Sequence, residues 1–543
     1  MSETDKKFVK KSMTVLQCAK DGVKNCCGKM LQIEDLVHPA LLRDSKHLHE
    51  DTIPPKVAAK APEERVKTIE EALSDIAPVP KAMQSLKYLY RIGLGPSSSH
   101  TMGPNRAANR FKRRHPDVKY FRVTLYGSLA LTGKGHQTDV AIKRGLSPSE
   151  VEIIWDYNTF LDFHPNGMKF EALESKDSEK AIDTYMAYSV GGGAIVDETT
   201  RGGAIGTESG QVYDIYPYHS RREILDWSER EGKPLWDFVI EKEGSQLYDY
   251  LKDVWHTMQD SLERGLKTTG VLPGGLGLRR RAQRMYLNSK RMKPIFGRNI
   301  RLFAYALAVS EENAAAGVVV TAPTCGACGV LPAVLRWTAE VMESSEDDVI
   351  RALGVAGLFG NIAKTNASIS GAEVGCQGEV GVACAMAAAA CAYLMGGTSA
   401  QVEHAAEMGL EHHLGLSCCP VEGLVQIPCI DRNAHAAARA VDCADFALAM
   451  DGKHMISYDE VVLAMKLTGL DMGQEYKETS LGGISITYNL DEKVKKEEEE
   501  KKESTKVKEL RNEVSQLKKQ LEEKSETPSV SPSLSPFRDG AHH

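Results

Sequence analysis

The 543-residue sequence has no apolar run long enough to cross a bilayer. Its most apolar stretch, Gly381 to Met395, is about fifteen residues against the roughly twenty a membrane helix needs, which predicts a buried core helix there. An apolar leader region is also missing. The chain starts Met-Ser-Glu-Thr-Asp-Lys-Lys, and its acidic residues argue against a transit peptide, so a cytoplasmic protein is expected. Strong charge of one sign is absent too. A net charge of −7 and a pI near 6.2 leave no basic footprint for nucleic acid or an anionic membrane, and neither is expected as a partner. There is no internal repeat, and the length is too great for one compact core, which implies two or three domains.

The composition along the chain divides it. Residues 1–83 are mixed, with scattered prolines, and read as an N-terminal extension. Tyr120 to Leu125 alternates polar and apolar residues and predicts a strand that ends at a Gly127-Ser128 turn. Val151 to Trp155 and the Gly-punctuated run from Ser189 to Ile195 continue the β character. Residues 84–235 therefore read as an N-terminal α/β domain. From residue 240 to 488, Ala, Leu, Met and Glu recur with helical periodicity, broken at Gly, Pro and Cys clusters. The fold class is α+β, with a mostly helical second domain. Residues 489–543 read as a charged helical tail and then disorder. Val507, Leu510, Val514, Leu517 and Leu521 form an a/d seam of only about two heptads.

Twelve cysteines are present, nine of them between residues 325 and 443. Disulfides are rare in a reducing cytosol, so this concentration points to metal or catalysis, with buried core cysteine as the alternative. Cys325 and Cys328 make the obvious pair by spacing, yet no second pair completes a zinc site. Cys384 and Cys391 fall in the Ala-rich helix and read as core. Cys376, Cys418 and Cys429 sit at helix breaks, where thiolates can face a cleft. Three thiolates would hold a 4Fe–4S cluster by three corners and leave the fourth iron open.

Two further segments carry chemistry. Gly95-Pro-Ser-Ser-Ser-His-Thr101 places hydroxyls, backbone N–H groups and His100 at the mouth of a helix, where a carboxylate can bind. The loop Gly127-Ser-Leu-Ala-Leu-Thr-Gly-Lys-Gly-His136 brings Lys134 and His136 to its surface. Phe163-His-Pro-Asn-Gly-Met168 reads as a turn between strands.

These two segments resemble the iron–sulfur L-serine dehydratase family. So do Leu272-Pro-Gly-Gly-Leu276, Glu311-Glu-Asn313, Thr321-Ala-Pro-Thr324, Ile369-Ser-Gly-Ala-Glu-Val-Gly-Cys-Gln-Gly-Glu379 and Leu424-Val-Gln-Ile-Pro-Cys-Ile-Asp-Arg-Asn433. The resemblance spans about 84–488 in the family's order. It implies a serine-dehydratase β-domain carrying Ser-Ser-Ser-His, followed by an α-domain that holds a 4Fe–4S cluster through Cys376, Cys418 and Cys429. Cys419 doubles the cysteine where the family has one, and Cys418 is favoured by its 11-residue interval to Cys429. Many relatives have Thr-Ala-Pro-Thr-Asn-Gly-Ala-Ala-Gly where Cys325 and Cys328 stand, so neither thiol is expected to be required.

The resemblance further implies an L-serine ammonia-lyase that yields pyruvate and ammonia without pyridoxal phosphate, probed with L-serine as partner and expected as a homodimer. Ser97, Ser98, Ser99, Thr101 and Lys134 are the candidate substrate ligands, and His100 and His136 the acid/base candidates, without a choice between them. Two other classes are weighed. A pyridoxal-phosphate lyase lacks support, because no Ser-x-Lys-x-Arg segment occurs. A non-catalytic amino-acid sensor would not need the whole set of serines, histidines and cysteines. No cysteine lies beyond Cys443. Truncation after Asp491 should therefore leave specific activity near that of the full chain, and a large loss at unchanged iron content would refute this.

Overall fold

The computed structural model describes residues 82–197, 214–488, 506 and 510–517. The N-terminal extension and nearly all of the tail lie outside the described residues. Within the tail seam, residues 510–517 are helical, with Leu510, Val514 and Leu517 exposed.

The architecture is α+β. Strand β1 (Met83–Gln84) pairs with β8 (Asp214–Tyr216), and β2 (Ile92–Leu94) pairs with β9 (Val318–Val320). The main sheet contains β3 (Tyr120–Tyr126), β4 (Glu150–Asp156), β5 (Gly167–Leu173), β6 (Asp183–Ser189) and β7 (Ile195–Asp197), in the order β4-β3-β5-β6-β7. All its pairings are antiparallel except β3 with β4, which run parallel. A parallel pair needs a crossover. Here the crossover is made by two short helices, α2 (Gly127–Thr132) and α3 (Thr138–Gly145), and the link between them carries His136. The expected turn at Gly127-Ser128 is instead the start of α2. Gly127 has φ +51°, a left-handed conformation in which glycine has no Cβ to clash, and this bends the chain directly from strand into helix. The segment Phe163 to Met168 does link two strands, β4 and β5, as expected.

Helix α1 (Gly103–Arg114) lays Ala107, Ala108 and Phe111 on the sheet, where they join Phe121, Val123, Leu125, Phe170 and Tyr185 in a small core. A separate and larger core belongs to the helices. It takes in Met83, Leu86, Leu89 and Tyr90 at the start of the described chain, and Tyr216, Ile224, Trp227 and Leu235 after the sheet. At its centre lies the helix Val380–Leu394, whose first thirteen residues are all buried. Small side chains let neighbours approach its backbone: a Cβ on Gly409 would sit 2.9 Å from the Ala385 Cα. Cys384 and Cys391 are fully buried here, as expected of core cysteines. Among the described residues no single helix is long and apolar enough to cross a membrane. The bent pair Gly371–Gln377 and Val380–Leu394 passes by length and composition, and it forms the middle of the helical core.

One buried charge ties the helical core together. Glu403 is fully buried and takes two bonds from Arg221, at 2.7 and 3.1 Å, and the Tyr458 N–H at 2.8 Å. It thereby joins the starts of two helices, Arg221–Glu231 and Tyr458–Asp471. Removing the carboxylate strands an amide and leaves a part-buried guanidinium without its partner, a loss of about 1–3 kcal/mol. Glu403→Ala should lower the melting temperature by several degrees, measured by calorimetry. An unchanged melt would show that solvent satisfies Arg221.

Candidate active site

Strand β2 is held against β9 by Ile92↔Val320, Gly93↔Val319 and Leu94↔Val318, so the chain leaves the helical core in a fixed register. The next residues, Gly95 to Met102, turn back over the core before α1. Asn313 anchors this turn by donating Nδ2 to the Pro96 carbonyl at 2.8 Å. Ser98–Met102 forms one wide helical turn whose first N–H groups are free of backbone partners, and Ser97 caps it by accepting the His100 N–H at 3.0 Å. Ser97, Ser98, Ser99 and His100 are all buried.

The second wall is the crossover. Thr101 Oγ1 donates to the His136 carbonyl at 2.7 Å, and Thr138 Oγ1 donates to the His100 carbonyl at 2.7 Å. These reciprocal bonds bring the two imidazoles to a centroid distance of 4.5 Å. His136 is buried rather than displayed on the loop surface, because Nδ1 donates back to the Thr132 carbonyl at 2.9 Å. Lys134 is exposed and lies over the Trp155 ring, 5.6 Å from its centroid, so the structure does not bring it to the histidines.

The third wall comes from the end of the helical domain. Glu478 has φ +56° and is buried, and its Oε1 lies 3.4 Å from His100 Nδ1 and 3.8 Å from His136 Nε2. Hydrogen counting fixes the ring tautomers. Ser128 Oγ donates its one proton to the Glu478 carbonyl at 2.7 Å, so at 3.1 Å it accepts from His100 Nε2. His100 Nδ1 then bears a lone pair, which faces Ser99 Oγ at 2.9 Å and Glu478. His136 donates from Nδ1, so its Nε2 lone pair faces Glu478 as well. Burial drives both rings toward the neutral form: His100 is held well below its usual pKa by burial and by the neighbouring His136, and His136 is pushed down to about 4 by burial. Two lone pairs facing one carboxylate oxygen favour a protonated carboxyl there. In agreement, burial, reinforced by Glu379 and Cys376, raises Glu478 well above the carboxylate range.

Glu478 is also the link to the cysteines. Its N–H donates to the Cys418 carbonyl at 2.8 Å, and the Cys418 N–H donates to the Tyr476 carbonyl at 2.8 Å. The Cys418 thiol, the Cys376 thiol and a Glu379 oxygen all lie within 4.8 Å of one another, a buried set of soft and hard donors that could hold a metal. Hydrogen bonding from Cys418 and the nearby Arg432 guanidinium outweigh burial and hold Cys376 on the thiolate side, while Cys418 is raised. Arg432 is positioned by a 2.7 Å bond to the Ser417 carbonyl. Cys429 starts the helix Cys429–Leu448, and burial, with the charge of Cys376 nearby, raises its thiol. Cys419 turns the other way, with its thiol 3.7 Å from the Glu475 carbonyl. Cys325 and Cys328 are buried, and the Gly326 between them faces Glu379: a Cβ there would lie 3.3 Å from Oε1.

Both halves of this arrangement match known protein families: a serine dehydratase beta chain over residues 85–154 and a serine dehydratase alpha chain over residues 166–485. The L-serine dehydratase of Streptomyces coelicolor is 43% identical over 453 residues, covering 73% of this chain and 97% of that protein. The L-serine dehydratase 1 of Escherichia coli K12 is 42% identical over 464 residues, covering 75% of this chain and 100% of that protein. That of Helicobacter pylori is 36% identical over 453 residues, covering 74% and 98%. The chain belongs to the L-serine dehydratase family. The resemblance drawn from the motifs is borne out.

Sequence reasoning did not single out Glu478, Glu379, Ser128 or Arg432. Ser128, Glu379 and Arg432 lie inside motifs quoted for the resemblance, whereas Glu478 stands in Lys477-Glu-Thr-Ser480, which carried no signal of its own. The His136 and cysteine loops meet backbone to backbone, since a Cβ on Gly423 would lie 2.9 Å from the Thr132 carbonyl and one on Gly135 would strike the Gly423 carbonyl. Gly135→Val should therefore force the loops apart, costing about 1–3 kcal/mol. Thermal denaturation checks this, and a melt equal to the parent's would mean that the loops yield without strain.

Proposed function

We propose that the protein dehydrates L-serine to pyruvate and ammonia, with His100, His136 and Glu478 managing protons beside a cluster bound through Cys376, Cys418 and Cys429. The observation that carries this reading is the shared oxygen of Glu478, toward which two neutral imidazoles point their lone pairs. The donor set fits a cluster: two thiols already lie together, a third begins the adjacent helix, and Arg432 offsets the negative charge. When bound, the 4Fe–4S cluster supplies a Lewis-acidic iron for the departing β-hydroxyl.

The residues of the chain do the rest. The substrate carboxylate is held at the Ser97–Ser99 turn, by hydroxyls and by N–H groups at its start. That clamp stabilises the negative charge that grows as the Cα proton leaves. The proton passes to His100 Nδ1 or His136 Nε2, the two nitrogens with lone pairs on this side. Glu478 stores the proton between them and keeps the other ring neutral. Ser128 holds His100 in the tautomer that leaves Nδ1 open. Thr101 uses its hydroxyl to position His136 rather than to bind substrate. Burial of the whole set excludes water until the aminoacrylate product leaves, tautomerises and hydrolyses. The nine described cysteines are free thiols, in keeping with a cytoplasmic location, and the expected assembly is a homodimer.

The test is anaerobic serine turnover with iron and acid-labile sulfide measured on the same samples. His100→Ala, His136→Ala and Glu478→Gln should each lower kcat by roughly 10²–10⁴ with iron retained. Cys376→Ser, Cys418→Ser and Cys429→Ser should lose iron and activity together, whereas Cys419→Ser should keep both. Wild-type activity in both histidine variants would remove the proton relay, and full iron content in Cys418→Ser would remove the ligand assignment.

A further inference from the structure

The helices Cys429–Leu448 and Tyr458–Asp471 are joined by residues 449–457, a connection that shows Met450, Lys453, Met455 and Ile456 to solvent, Met455 at 96% exposure. Two features hold it against the helix Ser399–Glu411. Gly452, at φ +80°, presses so close that a Cβ there would lie 2.9 Å from the Ala400 Cβ. His454 turns inward and lies flat on His404, with ring centroids 4.3 Å apart and planes within 2° of parallel. Its Nε2 comes to 2.9 Å from a Glu403 oxygen.

Hydrogen counting fixes the charge of His454. Its Nδ1 faces the Gly452 carbonyl at 3.3 Å, which only accepts, and its Nε2 faces the Glu403 carboxylate. Glu403 is ionised: against burial, the bonds from His454, Arg221 and the Tyr458 N–H hold it below the ordinary carboxylate range. Both ring nitrogens of His454 therefore carry protons, and the Glu403 bond, outweighing burial, raises its pKa. His404 is the neutral member of the stack, lowered by burial and then by the charge of His454. The other groups around the pair come from every adjoining helix. Glu407 and Glu411 share the helix of His404, and Glu407 is pushed up to about 8 by burial and by Glu411. Arg221 arrives from Arg221–Glu231, while Asp459 and Glu460 start Tyr458–Asp471, where Asp459 accepts the Arg221 N–H and Glu460 the Ser457 N–H. From Cys429–Leu448, Phe446 meets His404 edge-on, and the Cys443 thiol near Glu407 is pushed up to about 12 by burial and stays neutral.

We propose that His454 is a pH-sensitive clasp, which pins the connection 449–457 to Glu403 while protonated and releases it as pH rises. A group that holds its proton more tightly in the fold stabilises the fold below its ordinary pKa, and that contribution is lost as pH rises through the raised value. A neutral His454 has one ring proton for two acceptors, so it gives up either the Gly452 carbonyl or the Glu403 carboxylate. Ionisation of Glu407 favours the imidazolium and moves the release upward in pH. The clasp sits where it bears on the rest of the molecule. Glu403 holds both His454 and the first N–H of the helix Tyr458–Asp471, and the chain beyond that helix runs on to Glu478.

The test is limited cleavage of the full-chain holoenzyme by a lysine-specific endoproteinase, followed by mass spectrometry of the cut after Lys453, which is exposed and adjoins His454. Rates are measured from about pH 6 to about pH 9 and divided by those of a short reference peptide with the same bond. The parent's normalised rate should rise roughly tenfold with pH, the size expected for losing one hydrogen bond to a charged group. His454→Arg, which keeps a cation at every pH, should be cut slowly throughout. His454→Gln, which carries no charge, should be cut fast at every pH. Serine turnover per iron equal to the parent's in both variants shows that the fold is intact. A parent rate that stays flat with pH overturns the proposal, as does a His454→Gln or His454→Arg rate that climbs with pH as the parent's does.

Discussion

Two backbone hydrogen bonds between Cys418 and residues 476–478 set the geometry on which everything else at the site depends. They lay the last segment of the helical domain alongside the cysteine loop and force Glu478 into a left-handed conformation. The carboxylate is thereby delivered beside two histidines carried by the turn before α1 and by the link between α2 and α3. Ser128 then reads the position of that same residue through its carbonyl, and in doing so selects the tautomer of His100. A shift of an ångström in this pairing would move the cysteine loop and the Glu478 carboxyl beside the histidines together.

The surrounding motif residues act mainly as braces. Asn433 accepts the Gly329 N–H through Oδ1 at 2.9 Å and donates to the Gly326 and Cys429 carbonyls, which couples the Cys325–Cys328 turn to the helix that begins at Cys429. Gln426 reaches the Pro273 carbonyl, and Asn313 holds Pro96. Such side-chain amides satisfy buried carbonyls in irregular backbone, where no ladder is available. Irregular backbone is what allows thiols and hydroxyls to converge, since regular helices would turn most of them into packing.

Burial governs protonation among the polar groups of the active site. It drives two histidines and a glutamate toward neutrality.

Much of this was legible in the residues. Period-two alternation located a strand at Tyr120–Leu125, β-rich composition marked Val151–Trp155, the small apolar run near Gly381 declared a buried helix, and helix-breaking contexts singled out Cys376, Cys418 and Cys429 as candidates, because local sterics govern each of these. The Ser-Ser-Ser-His and Gly-Lys-Gly-His segments were visible as loops rich in hydroxyl and glycine. Their partnership was not, because it is made by reciprocal threonine bonds across residues 35 and 38 apart in sequence. Lys134 and His136, two positions apart, look alike in the sequence, yet one points to Trp155 and solvent while the other turns back onto Thr132. Glu478 was invisible for the same reason: nothing local distinguishes it from any solvated glutamate. The sequence by itself determined the helices, the strands and the family. The tertiary structure alone decided which side chains meet at the site, because that requires distant backbone segments to pack against one another in a space that excludes water.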